Sequence, residues 1–357
     1  MIPYKQLSLA DIYSDCQDKL ENDKPAFLSL LETYIDLDEI IPISFRNHFY
    51  VSTGRSRKYP LKALLWALII QRIFSMPTDQ LLLAFLTYSK PLREFCGFTK
   101  VPDASKITRF KQDFLDDLQI VFDKLVDVTE PICQAIDSAK ADMTIFDSSG
   151  IEAFVTENNP KYANQIIRQL KAYAKAKGFS QSYDPYKAAY SSMPSHASAN
   201  LEIKQLYING HFCYVFKFGI VTNGLGIVRY KFVCPKIKYV YDKSTRKCHQ
   251  ECQCANPCTD SSCGRMIHIY PEKNLRAYPG VLRGTEEWDN TYKIKTTVER
   301  DINHMKDNLC LAGRRTQNEK TLHADLILAG ITQLISVVLA DKIHHHEYIR
   351  SLKPLIA

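Results

Sequence analysis

No apolar run in this sequence is long enough to cross a bilayer. The longest, Leu326 to Ala340, is interrupted by Thr332 and Gln333 and falls short of the roughly 20 residues that a spanning helix requires. A charged-then-apolar leader is also lacking, so the expected location is the cytoplasm and no membrane partner is expected. Charge of neither sign dominates. The 46 Lys and Arg residues against 39 Asp and Glu leave a net charge of +7, an excess that permits an acidic polymer as partner without requiring one. A clean Cys-x2-Cys repeat is missing too, although cysteine itself is plentiful. Of eleven cysteines, six crowd between Cys234 and Cys263. In a reducing compartment such crowding points to a metal more than to disulfides.

What is present is an ordinary globular composition, 45% apolar and 24% charged over 357 residues, with room for two or three domains. The stretch that organises the rest is Tyr292 to Lys306. At about 100° per residue on a helix, Tyr292, Lys295, Glu299 and Lys306 share one narrow arc, while Ile294, Val298, Ile302, Met305 and Leu309 form an apolar stripe a quarter-turn away. An amphipathic helix of this kind buries its apolar stripe and leaves the charged one at a surface or cleft edge. A carboxylate between two amines can ligate a hard divalent cation while the amines hold phosphates. The same spacing also suits a solvated helix face with an i,i+4 ion pair between Lys295 and Glu299.

Elsewhere, residues 1–130 read as helical. Gly54 to Pro60 is a basic turn with Pro60 opening a helix, Leu61 to Phe74 is apolar on nearly all sides, and Ser105 suits the N-cap of a following helix. Arg55, Arg57, Lys58, Arg109 and Lys111 are candidate phosphate contacts. Met143 to Phe146 is a short β-like run that ends at Asp147, a position where a strand would fix a metal-binding carboxylate; Asp142 is the fallback. Between Lys161 and Lys177 there are basic residues and no acid. Arg168, Lys171 and Lys175 fall on one helical face there, either a DNA-contacting patch or a solvated one. Pro185 to Ser198 reads as a polar linker. Tyr207 to Tyr230 reads as strand, Asn223-Gly224 turn, strand.

Tyr292-x2-Lys295-x3-Glu299-x6-Lys306 resembles the Tyr-x2-Arg-x3-Glu-x6-Lys signature of bacterial insertion-sequence DDE transposases. The departure is Lys295 in place of the usual Arg, which keeps the charge and loses the two-pronged grip on phosphate. The order in the first 130 residues (basic Gly-Arg turn, buried helix, Leu-Arg-x-Phe-x-Gly, then Pro102-Asp-x-Ser and Arg109-Phe) resembles the helical N-terminal domain of the same group, and Asn223-Gly-Leu-Gly226 resembles its hairpin. The resemblance implies an α/β fold: an RNase H-like core behind an all-α N-terminal domain, with a Cys-rich, zinc-ribbon-like insertion. The implied boundaries are 1–135, 136–233, 234–280 and 281–357.

It further implies Mg²⁺ or Mn²⁺ held by Asp147 and Glu299, with Tyr292, Lys295 and Lys306 on double-stranded DNA at transposon ends, and a homodimer as a further partner state. The cluster offers Cys234, Cys254, Cys258 and Cys263 as zinc ligands, with Cys248, His249 and Cys252 as alternates. One part of the pattern is missing. The family places a helix, a strand and a second Asp after the hairpin, yet Tyr230 runs almost directly into Cys234. Asp242 ends a β-rich run and imitates that position; Asp260 and Asp289 are weaker substitutes. The expectation is a DDE-type transposase impaired by the missing Asp, the alternative a transposase-derived protein that binds DNA without cutting it.

Overall fold

The computed structural model describes residues 25–51, 56–178, 183–208, 211–229, 237–242, 247–252, 284–312 and 316–356, with residues 8, 10 and 14. The helical N-terminal part comprises α1 (Ala26–Tyr34), α2 (Leu37–Ile40), α3 (Ile43–Phe49), α4 (Leu61–Ile73), α5 (Asp79–Tyr88), α6 (Lys90–Cys96), α7 (Ala104–Asp113) and α8 (Leu115–Ile136). After the short α9 (Ser138–Ala141) come β1 (Ile145–Glu152), α10 (Pro160–Lys177), α11 (Pro185–Ser192), β2 (Ile203–Ile208) and β3 (His211–Thr222). The strands β4 (Ile237–Asp242) and β5 (Lys247–Cys252) precede α12 (Glu286–Asn303) and α13 (Glu319–Lys342).

Local signals explain most helix starts. Thr78, Ser89, Asp103, Asn159, Thr285 and Asn318 each accept a backbone N–H of the first turn they precede, which satisfies donors that have no partner inside the helix. Ser105 is not the cap of α7. Asp103 caps it, and the Ser105 hydroxyl donates back to the Asp103 carboxylate at 2.5 Å. Helix α4 begins after Pro60 and buries every residue but Lys62, in keeping with its apolarity on all sides. The stretch from Pro185 is not linker throughout, since it opens with α11.

The long apolar run proves to be the middle of α13. That helix is long and apolar enough to cross a membrane by length and composition, but almost all of it is buried inside the protein. It packs against α8, α4 and α7, so its apolarity serves the common core. A buried ionic group ties these helices together. Arg72 Nη2 donates to Asp325 Oδ1 at 2.6 Å, Lys111 Nζ lies 2.9 Å from the same oxygen, and Lys111 also bonds both oxygens of Asp79 at 2.9 Å. Gln71 completes the set by donating to Asp79. Lys111 is therefore fully buried and is no phosphate contact; its charge serves α5 and α13.

The sheet is antiparallel, with the order β1-β3-β2 among the described residues. Thr222 pairs with Ile145 and Phe216 with Ile151, while Phe216 on its other side pairs with Ile203. The hairpin partner of β3 is thus β2, and Tyr207 and Ile208 belong to that earlier strand. The expected turn at Asn223-Gly224 does reverse the chain, but only into a single bridge between Thr222 and Val228. This is a helix-rich mixed fold with a small antiparallel sheet; β4 and β5 pair separately with each other.

Candidate functional site

Helix α12 packs on β1 and β3, which brings together the two elements that carry Asp147 and Glu299. Its apolar stripe behaves as the periodicity predicts: Val298, Ile302, Met305 and Leu309 are buried. Past Asn303 the helix widens into a π-helical turn, His304–Asn308, so the 100° arithmetic stops applying there. Such turns are uncommon and recur at functional positions. Here the turn brings Lys306 onto the sheet. Its Nζ donates to Ser149 Oγ at 2.7 Å and sits 5.9 Å from the centre of the Phe218 ring. Burial lowers the Lys306 pKa, partly offset by Asp307.

Alternation along β1 puts Asp147, Ser149 and Ile151 on one face, opposite Ile220, Phe218 and Phe216 of β3. Asp147 is half-buried, and its carboxylate accepts the Ser148 N–H at 2.9 Å. Glu299 is exposed and lies 3.8 Å from Lys295. Lys295 in turn lies 5.9 Å from the Tyr292 ring, which stacks on Trp288 with centroids 5.3 Å apart. Tyr292, Lys295 and Glu299 thus form one exposed face of α12, whereas Lys306 has turned inward to β1.

Other expected residues lie apart from this face. Arg57 is exposed, donates to the Phe49 carbonyl and lies over the Phe49 and Phe114 rings at 5.1 and 5.2 Å. Lys58 and Arg109 are exposed on the helical part, and Lys171 on α10. Asp142, at the end of α9, accepts from Gln134; Asp289 is exposed in the first turn of α12. Asp242 ends β4, paired with Lys247, in a hairpin separate from the main sheet. His249, Cys248 and Cys252 lie in β5. Arg55, Asp260, Cys234, Cys254, Cys258 and Cys263 fall outside the described residues. Among the described residues, no group of three or more His, Cys, Asp or Glu is placed to hold a metal ion. Two carboxylates on neighbouring elements do not by themselves fit a two-ion centre.

A buried polar cluster behind α12 escapes the sequence reading. Asp301 accepts from Gln333 Nε2, which also donates to the Gly226 carbonyl, while Gln333 Oε1 accepts from Val228 N. Arg350 donates to the Leu225 carbonyl at 2.8 Å. Burial pushes the Asp301 pKa up to about 7, against the opposing effects of Gln333 and Arg350. Burial also takes His304 down to about 4, helped by Lys353 and Arg350. Gly226 has φ +77°, and an added Cβ would come within 2.8 Å of the Thr297 methyl; only glycine suits both constraints. The Asn223-Gly-Leu-Gly226 turn is therefore a clasp that seats α12 and α13. Asp301 follows Val298 by three residues, and that spacing was the available signal that it faces inward.

Residues 15–113 match the family model of a transposase domain (DUF772). The match covers the helical part up to the end of α7 and supports a transposase family. No curated protein and no solved structure matches the chain.

Proposed function

We propose that this chain is a DDE-type transposase that acts on the ends of insertion-sequence DNA and whose cleavage step is impaired. The observation that carries the reading is the packing of α12 on β1: the helix bearing Tyr292, Lys295 and Glu299 lies against the strand bearing Asp147, and Lys306, just past that helix, donates to Ser149 of the strand. The transposase-domain match in the helical part supports it independently. In this reading Lys295 and Tyr292 receive the DNA backbone, and Arg55, Arg57, Lys58, Arg109 and Lys171 extend the contact with duplex DNA. Asp147 and Glu299 supply two of the carboxylates that Mg²⁺ or Mn²⁺ would require. A structural zinc on Cys234, Cys254, Cys258 and Cys263 and a homodimer belong to the same proposal.

The test is duplex DNA binding by fluorescence anisotropy, followed over a salt series, together with a nicking assay in Mg²⁺ and in Mn²⁺. Binding that weakens steeply with salt is expected, because each neutralised phosphate releases counterions. Nicking is expected to be undetectable. Absence of binding at low salt would overturn the DNA reading. Nicking that disappears in Glu299→Gln would overturn the impairment alone, and its loss in Asp242→Asn would make Asp242 the missing ligand. Metal analysis of chelator-free protein should find about one zinc per chain, reduced in Cys258→Ser; none at all would remove the zinc.

A further inference from the structure

Of the eighteen residues of α10, only Ile167 is buried. Tyr162, Ile166 and Leu170 are half-buried beside it, and the helix rests chiefly on α11 and on the 3₁₀ turn Thr156–Asn158. Asn159 caps its first turn, and Gly178 at φ +64° takes the chain off its last. A helix about 27 Å long is thus held along one flank, with its other side exposed.

That exposed side carries two rows. Lys171, Lys175, Arg168 and Lys161 span about 80° of the helical wheel, and Ala172, Gln165, Ala176 and Gln169 fill roughly the next 60°. All eight are exposed. A solvated helix face commonly sets Glu against Lys four residues apart, yet no acid lies between Pro160 and Gly178, and with Lys177 the helix carries five positive charges. The second row holds only amides and methyl groups. Both fit the major groove of DNA: glutamine pairs through its two amide atoms with adenine N6 and N7, and alanine packs on the thymine methyl. The basic row beside them suits the phosphates of one strand.

We propose that α10 lies in the major groove of duplex DNA, with Arg168, Lys171 and Lys175 on the phosphates of one strand and Gln165, Gln169 and Ala172 toward the base edges. The inference rests on the DNA reading above for the class of partner, and adds to it an element that reads sequence and is separate from the helix of Glu299. Other polyanions fit less well. The apolar residues that would enter a membrane surface are the ones α10 turns toward the protein. Neither exposed row offers a large apolar side chain to anchor a protein partner. Double-stranded RNA has a major groove too deep and narrow for a helix.

The probe is a pool of fluorescein-labelled duplexes with a randomised centre of roughly 20 base pairs, about two helical turns, selected on the full-length protein and sequenced. Wild type should enrich sites with fixed A·T pairs. In the double variant Gln165→Ala, Gln169→Ala that preference should fall about tenfold per position, with the salt dependence unchanged. Replacing adenine by 7-deazaadenine in the selected site removes the N7 acceptor; wild type should lose a similar factor and the double variant nothing. The triple variant Arg168→Gln, Lys171→Gln, Lys175→Gln should weaken all duplexes alike and flatten the salt slope by about three units. All five side chains are exposed, so the thermal midpoint should hold in both variants. Binding without base preference, a preference untouched by the glutamine variant, or equal competition by double-stranded RNA overturns the groove assignment and leaves the DNA reading standing. Tighter binding of polyglutamate than of duplex assigns α10 to an acidic protein and overturns the assignment too. No duplex binding at low salt overturns both readings.

Discussion

Two charged groups in this molecule have similar composition and opposite surroundings. Arg72, Lys111, Asp79 and Asp325 meet where α4, α5, α7 and α13 converge, with Arg72, Lys111 and Asp325 almost wholly out of solvent. Lys295 and Glu299 on α12 sit at 40% and 52% exposure, 3.8 Å apart. Water screens the second pair and leaves it worth little to the fold, which keeps it available to a partner. In the first, Arg72, Lys111 and Asp325 are held by other charges because water does not reach them; burial raises the Asp79 pKa, yet Lys111 outweighs it and holds the carboxyl below its usual value. Charged residues next to one another thus mean structure in one place and an open surface in the other. The environment, not the residue type, decides between them.

The sharpest way to break this contrast is Asp325→Ala. It takes from buried Arg72 its carboxylate and leaves Lys111 to Asp79 alone, and loss of one partner of a buried pair costs about 3–5 kcal/mol. Urea denaturation should show it; Glu299→Ala should leave the midpoint unchanged within about 0.5 kcal/mol. Equal effects of the two would erase the distinction.

The next test uses pH. The folded Asp301 pKa of about 7 lies above its ordinary 3.8, so the native state holds a proton that the unfolded chain has released, and this group removes stability as pH rises from about 4 to 7. His304 acts the other way: with a folded pKa of about 4 against 6.5, it adds stability as pH rises from about 4 to 6.5. In the wild type the two oppose each other. In Asp301→Asn the His304 contribution is left alone, and stability measured from pH 4.5 to 7 should rise more steeply than in the parent.

Ser149→Ala is expected to be smaller, about 1 kcal/mol, because it removes one hydrogen bond from a half-buried amine. It tests whether Lys306 belongs with the buried or the exposed group. The smallest effect on stability should come from Lys58→Glu and Arg109→Glu, within about 0.5 kcal/mol. If they contact phosphate, each should nevertheless flatten the salt dependence of DNA binding by about one unit.

The sequence carried several features through to the structure because they rest on local rules. The apolar stripe of α12, the all-round apolarity of α4 and the presence of a strand at Asp147 follow from periodicities of 3.6 and 2 and from burial of apolar surface; that strand runs on from Ile145 to Glu152, so Asp147 lies near its start and not at its end. The helix around Glu299 and the helical character of the N-terminal part were likewise legible, and the latter carries the transposase-domain match.

What the sequence left open were pairings between distant segments. The register of β3 against β1, the inward turn of Lys306 at the π-helical residues, the burial of Lys111 against Asp79 and Asp325, and the seating of Asp301 on Gln333 each depend on a partner tens to hundreds of residues away. A side chain's own type fixes its charge and shape. Whether water or another charge satisfies it is decided only when the tertiary fold brings the second partner within hydrogen-bond distance.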